Sequence, residues 1–237
     1  MRVAVQTDKG RVRTENEDSC WAEPPWFAVA DGMGGHAAGE VASRMAIDTM
    51  KELIAKTDKV TLEWLNQAVA EANYRIWRES QRKPEYAGMG TTLTVAYITT
   101  THVLVAHVGD SRCYRLRNDK LQQLTLDHSV VAELVRTGTL SESEAAQHPQ
   151  RNFLTRALGT SPQVDVDILR EETLPGDLFL LCTDGLTAVL DHERIESILS
   201  GIPTLEAAVE QLVAEANKEG GPDNITVVLV RIPPSEG

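Results

Sequence analysis

Residues 93–116 read LTVAYITTTHVLVAHVGDSRCYRL, and this stretch decides the class of fold. Three β-prone runs (93–98, 103–108 and 111–116) are divided by Thr99-Thr100-Thr101 and by Gly109-Asp110. Connections this short leave no room for a crossover helix, so the runs are expected to be antiparallel neighbours. The first two are apolar at nearly every position, which predicts strands covered on both faces. Arg117-Asn118-Asp119-Lys120 then turns the chain into a further short run, LQQLT.

On the C-terminal side, residues 125–159 are polar, with weak helical patterns at 130–135 and 141–147 followed by His148-Pro149. They read as a partly helical insertion over the surface. Strands are expected near 164–169, at LFLLC (178–182) and at ITVVLV (225–230). Leu205, Val209, Leu212 and Ala216 mark a helix between the last two. On the N-terminal side, residues 2–7 read as an edge strand turning at Asp8-Lys9-Gly10. Trp26–Ala30 reads as a strand ending at a loop with four glycines, Gly32, Gly34, Gly35 and Gly39. Val41, Met45, Met50 and Leu53 trace one helical stripe. Leu62, Leu65, Val69, Ala72 and Ile76 trace a second, with Thr61 placed to cap it. Strands and helices in clusters, without strict alternation, predict an α+β fold of sheets covered by helices in layers.

The chain has 237 residues and no evident linker, so a single domain is expected. Thirty-five acidic residues against 23 basic ones give a formal charge of -12, which argues against a nucleic-acid or anionic-membrane surface and suits a cation binder. Cys20, Cys113 and Cys182 are too few and too scattered for a disulfide framework, and no C-x-x-C zinc spacing occurs. MRVAVQTDKGRVR lacks the apolar core of a signal peptide, and no apolar run reaches membrane-spanning length. The expected location is the cytoplasm.

The chemistry lies in a repeated pattern. A β-prone run ends at an aspartate beside a glycine at Asp31-Gly32, Gly109-Asp110 and Asp184-Gly185. Asp223 precedes the last strand after Gly220-Gly221, and Asp18 follows Asn16-Glu17. Strand ends of stacked sheets converge at a rim, and carboxylates gathered there repel one another unless cations neutralise them. Oxygen ligands without clustered His or Cys select hard ions, Mg²⁺ or Mn²⁺ over zinc. Other readings are weaker. Gly32-x-Gly34-Gly35 lacks the Gly-Lys-Ser/Thr of a phosphate-binding loop. His107, Asp110 and Ser111 lack the G-x-S-x-G elbow of a hydrolase triad. The position six residues after each cysteine holds Trp26, Asp119 or Ala188, never the arginine of a cysteine-based phosphatase.

Six short motifs follow in order: Arg13-x-x-Asn16-Glu17-Asp18, Ala30-Asp31-Gly32-Met33-Gly34-Gly35-His36, Gly90-Thr91-Thr92, Val108-Gly109-Asp110-Ser111-Arg112, Thr183-Asp184-Gly185 and Gly221-x-Asp223-Asn224. Together they resemble the metal-dependent serine/threonine protein phosphatases of the protein phosphatase 2C family, in their compact bacterial form. The resemblance spans nearly the whole chain. It implies a four-layer α-β-β-α sandwich, two stacked antiparallel sheets flanked by antiparallel helices. It also implies hydrolysis of phosphoserine and phosphothreonine by in-line attack of a water bridging two metal ions.

By that resemblance Asp31 bridges two Mn²⁺ or Mg²⁺ ions, and Asp184 and Asp223 complete the first ion's shell. The carbonyl of Gly32 and, directly or through water, Asp18 serve the second, and in bacterial members a weaker third ion can lie between the residues matching Asp110 and Asp184. Arg13 matches the phosphate-binding arginine, whose planar fork suits two phosphoryl oxygens. Some relatives carry a histidine directly after Asp-Gly, where this chain has Met33. His36 is then the candidate either to protonate the leaving oxygen or to orient a metal-bound water. Glu17, Asn224 and His148 are additional candidates, the last on the 125–159 insertion, which corresponds to the family's flap. Whether Glu17 or Asp18 lies nearer the metal stays open. The implied partners are phosphorylated proteins, targets of bacterial-type Ser/Thr kinases, met by a monomer; the alternative is an inactive relative that binds phosphoproteins or metal.

Overall fold

The computed structural model describes residues 1–34 and 38–234, with the side chain of Ala146 left aside. Its strands are β1 (Arg2–Asp8), β2 (Asp18–Glu23), β3 (Trp26–Met33), β4 (Gly90–Thr91), β5 (Leu93–Ile98), β6 (His102–Val108), β7 (Arg112–Arg117), β8 (Lys120–Gln123), β9 (Asp167–Glu172), β10 (Leu178–Cys182) and β11 (Ile225–Arg231). Its α-helices are α1 (Ala38–Ile54), α2 (Leu62–Arg82), α3 (Val130–Arg136), α4 (Glu142–Ala146), α5 (Asp184–Thr187), α6 (His192–Gly201) and α7 (Leu205–Lys218). One sheet runs β1-β11-β10-β7-β8 and the other β2-β3-β5-β6-β9, with β4 paired to β3, and every pairing is antiparallel.

Three apolar clusters show how the layers stack. Ala28, Val95 and Ala106 on one face of the second sheet pack with Ala46 and Met50 of α1 and with Leu65 and Ile76 of α2. Leu180, Val227 and Leu229 on one face of the first sheet pack with Ile198 of α6 and Leu212 of α7. Between the sheets lie Phe27, Val29, Val105, Cys113, Phe179, Leu181 and Val228. The result is the expected α-β-β-α sandwich. The near-continuous burial of β5 and β6 follows from it, since a helix covers one face and the other sheet covers the second. Thr61 caps α2 as read, its hydroxyl accepting from Trp64 N at 3.1 Å.

The structure differs from the sequence reading at four places. VLVAHV and SRCYRL are not neighbours: β6 pairs with β5 and β9, whereas β7 pairs with β10 and β8 in the other sheet. Gly109, at φ +112, turns the chain from one sheet to the other, so that Val105 and Cys113 meet across the core. Second, β3 does not stop before Asp31; it continues through Gly32 to Met33, paired there with β4. Third, β2 went unread because DSCWAE mixes small and polar residues and hides the alternation of Cys20 and Ala22 inward with Trp21 outward. Fourth, α6 and the single turn α5 went unread; α6 buries only Ile195, Ile198 and Leu199.

Candidate metal centre

The inward rows of the two sheets change character at one end of the sandwich. On β3, Phe27 and Val29 lead to Asp31; on β2, Ala22 and Cys20 lead to Asp18. On β10 the row Phe179-Leu181 continues to Thr183, and on β11 Val230-Val228 continues to Thr226. With a strand period of two, all four polar side chains point into the same inter-sheet space as the core residues before them. The apolar core therefore closes on a polar rim, and the rim carries the aspartates.

Asp18 and Asp31 stand directly opposite each other across β2 and β3. Asp31 is held through its backbone, its N–H donating to Thr92 Oγ1 (2.9 Å) and its carbonyl accepting from Thr92 N (2.9 Å) and Thr91 Oγ1 (2.8 Å). Asp184 starts α5 immediately after β10, and Asp223 lies two residues before β11, so the first sheet delivers both to the rim. Asp110 sits on the turn that carries the chain between the sheets. Glycines let these segments approach. A Cβ on Gly32 would lie 2.2 Å from Gly39 O, and one on Gly185 only 1.9 Å from Asn224 O.

A cleft of about 620 Å³ opens over the rim, with Asp31, Gly32, Asp110, Asp184, Asp223 and Arg13 on its walls. Asp18 lies beneath them. Burial, reinforced by the neighbouring carboxylates, displaces their titration. Asp110 is pushed up to about 8, by burial first and then by Asp184 and Asp127. Asp18 is pushed up to about 7 by burial, against hydrogen bonds from Thr226 and Thr183, with Asp184 and Asp223 adding to the rise. Asp31 is raised well above the usual carboxylate range by burial and then by Asp18, Asp184, Asp110 and Asp223. Asp184 is raised by burial and by Asp223, and lies within hydrogen-bonding reach of Asp31.

Two oxygens test whether cations fit here. Asp18 Oδ1 and Asp184 Oδ1 are fully enclosed and have no hydrogen-bond partner among the described residues. A buried carboxylate oxygen without a donor is costly, and a hard cation is the partner it lacks. Among the described residues, no three Asp, Glu, His or Cys side chains are gathered tightly enough to hold one ion by themselves. The carboxylates are instead distributed around the cleft, whose wall also includes Gly32. The residues present fit divalent cations.

The remaining candidates fall in different places. Arg13 donates from NH2 to Asp223 Oδ2 at 2.8 Å and is half exposed. Glu17 also lines the cleft, where its carboxylate feels the charges of Arg13 and Asp223. Its carbonyl accepts from Gly32 N and Ser43 Oγ, and its carboxylate accepts from Gly39 at the start of α1. Asn224 is a staple for the N-terminal loop: its Oδ1 accepts from Glu17 N (2.8 Å), and its Nδ2 donates to Lys9 O (3.0 Å) and Glu15 O (2.9 Å). His148 is absent from the cleft wall; its Nδ1 accepts from Gln150 N within its own loop. His36 lies outside the described residues. His107 belongs to no triad: fully buried, it contacts Thr94 Oγ1 and Leu126 O, and burial, then His128, lowers it to about 3.

Sequence reasoning missed the hydroxyls under the aspartates, Thr92, Thr183 and Thr226, and the far wall of the cleft. Phe153 and Arg156 of the 125–159 segment form that wall, Arg156 pairing with Asp167 at 2.7 Å. The rows in period two that end in threonine were the available signal for the hydroxyls.

Known proteins resemble this chain in sequence and in fold. The family model described as protein phosphatase 2C matches residues 8–229. The serine/threonine phosphatase stp of Listeria innocua is 42% identical over 240 residues, covering 97% of this chain and 95% of that protein. The crystal structure of the Mycobacterium tuberculosis serine/threonine phosphatase PstP/Ppp superimposes with a TM-score of 0.92 at 39% identity, covering 98% of each chain. A PstP catalytic domain in complex with two manganese ions gives a TM-score of 0.89 at 38% identity, again covering 98% of each chain.

Proposed function

Because the chain belongs to the protein phosphatase 2C family, we infer that the rim cleft is where it hydrolyses phosphoserine and phosphothreonine in proteins. It is a metal-dependent serine/threonine protein phosphatase. The observation that supports this site most strongly is the pair of enclosed oxygens, Asp18 Oδ1 and Asp184 Oδ1, that have no partner among the described residues and belong to carboxylates whose titration burial, and then their neighbours' charge, shifts upward.

In this reading Asp31, Asp184 and Asp223, with water, would hold one ion, and Asp31, Asp18 and the Gly32 carbonyl would hold another. Asp110 and Asp184 would hold a third, weaker ion, and Mn²⁺ or Mg²⁺ fits the all-oxygen set. When bound, such ions lower the pKa of water toward neutrality and balance charge on the phosphoryl oxygens. The chain's own residues do the rest. Arg13, on the cleft wall and half exposed, grips two phosphoryl oxygens and orients phosphorus for in-line displacement. Met33 and Phe153 narrow the approach. His36 is assigned to deliver the proton that leaves with the serine or threonine oxygen.

The whole chain is read as one catalytic domain, with residues 125–159 as a flap beside the cleft. Its substrates are phosphoproteins modified by bacterial-type Ser/Thr kinases, and the protein acts as a monomer in the cytoplasm. No helix among the described residues is long and apolar enough to cross a membrane. Hydrolysis of a phosphothreonine peptide with and without Mn²⁺ tests the reading: turnover should vanish on complete chelation and return with added metal. Turnover that survives chelation would refute it.

A further inference from the structure

We propose that Thr183 and Thr226 are positioning residues that lock Asp18 so that only its Oδ1 is presented to a cation. Asp18 Oδ2 accepts from Thr183 Oγ1 at 2.8 Å and from Thr226 Oγ1 at 2.7 Å. Two donors occupy the lone pairs of that oxygen, whereas Oδ1 is enclosed and has none. An ionised Asp18 therefore has one free oxygen and serves as a monodentate ligand.

Counting protons gives the network a single direction. Thr226 has one hydroxyl proton, and it goes to Asp18. In its 2.8 Å contact with Thr7 Oγ1, Thr226 is then the acceptor and Thr7 the donor. Thr7 in turn accepts from Asn16 Nδ2 at 2.8 Å. The second arm behaves alike: Thr226 N donates to Thr183 Oγ1 at 2.9 Å, and Thr183 donates its own proton to Asp18. Both arms end on the same carboxylate oxygen, so each bond strengthens the next and holds Asp18 in one orientation. No arginine or lysine does this work; neutral hydroxyls stabilise the charge while leaving the attraction of Oδ1 for a cation uncancelled.

A second observation singles out Thr183. It occupies the position before α5, where a threonine hydroxyl ordinarily accepts from the backbone of the first turn. Here no such bond forms, and the hydroxyl turns to Asp18 instead. Thr183 directly precedes Asp184 and belongs to the first sheet's chain, while Asp18 belongs to the second sheet. The clamp therefore fixes the separation between ligands delivered by the two sheets, where a small error in spacing would spoil a shared ion pair.

The proposal rests on the reading of Asp18 as a cation ligand, and the experiment separates the two. Mn²⁺ binding to the metal-free full chain is followed by electron paramagnetic resonance and calorimetry for wild type, Asp18→Asn, Thr183→Val, Thr226→Val and Thr226→Ser. Each valine variant should weaken Mn²⁺ binding by about tenfold, the usual cost of losing an outer partner. Thr226→Ser, which keeps the hydroxyl, should bind within about twofold of wild type, and kcat of the valine variants should recover at saturating Mn²⁺. If Asp18→Asn weakens binding but both valine variants match wild type, the clamp is refuted and the ligand stands. If Asp18→Asn itself binds like wild type, the ligand reading fails and takes the clamp with it. Should a valine variant not fold, Thr183→Ser and Thr226→Ala give the same contrast between hydroxyl kept and hydroxyl lost.

Discussion

Asp18 and Asp31 face each other directly on adjacent antiparallel strands, and the hydrogen bonds that Asp18 accepts come from the neutral hydroxyls of Thr183 and Thr226. Like charges opposite each other on a sheet are destabilising, and burial at this rim enlarges the cost. The pair is stable only when protons or metal ions lie among the carboxylates. Stability and activity are therefore linked through the same side chains.

The first consequence is a pH dependence of the metal-free protein. Asp18 at about 7 and Asp110 at about 8 hold protons that an unfolded aspartate releases near pH 4. Their contribution is fully present below the unfolded value and is lost as pH rises through the folded values. Thermal melts of chelated protein should accordingly show Tm falling between pH 6.5 and pH 8.5. Added Mn²⁺ should raise Tm more at pH 8 than at pH 6. Equal metal stabilisation at both would contradict the buried carboxylate cluster.

His107 acts on the acid side. Its folded value of about 3 lies below the ordinary 6.5, so the unfolded chain takes up a proton that the folded chain refuses. Stability from this residue is present above pH 6.5 and is lost as pH falls toward 3. Between pH 6.5 and 5, wild type should lose about 2 kcal/mol relative to His107→Gln, both chelated. Urea titrations at the two pH values measure the difference. Parallel slopes would show that His107 does not stay neutral in the fold.

Arg13 touches Asp223 yet remains half exposed, so it is free to meet a phosphate entering the cleft. Loss of a charge-assisted hydrogen bond is worth about 1.5–3 kcal/mol, which predicts a KM raised by about tenfold or more in Arg13→Ala with a smaller change in kcat. Steady-state kinetics on a short phosphopeptide provide the check. An unchanged KM would leave Arg13 as a surface partner of Asp223 only.

Much of this was legible before the structure. The layered α+β fold followed from runs such as LTVAYI and VLVAHV, apolar on both faces, and the aspartates from their glycine neighbours. What was hidden has physical causes. The crossing from β6 to β7 depends on which sheet each strand joins, and a three-residue turn allows either choice. β2 was obscured because Ser19, Cys20 and Ala22 carry little hydrophobic contrast. The separate surroundings of Glu17 and Asp18 emerged only in the fold: pairing sets Asp18 against Asp31, while Glu17 stands on the cleft wall beside the start of α1. The threonine clamp needed both sheets in place, since Asp18 and Thr226 are 208 residues apart in the chain.

The central claim is that these carboxylates hold the cations that carry the hydrolysis, and Asp184 tests it most directly. Bound Mn²⁺ and phosphopeptide turnover should be measured together in wild type and in Asp184→Ala. The account predicts two tightly bound ions in wild type. In the variant it predicts at least one ion lost and turnover reduced by more than about 100-fold, beyond the usual cost of losing an outer partner. The metal-free variant should melt no lower than metal-free wild type, because one repelling carboxylate is gone. Two tightly bound ions and near-normal turnover in a folded Asp184→Ala would contradict it.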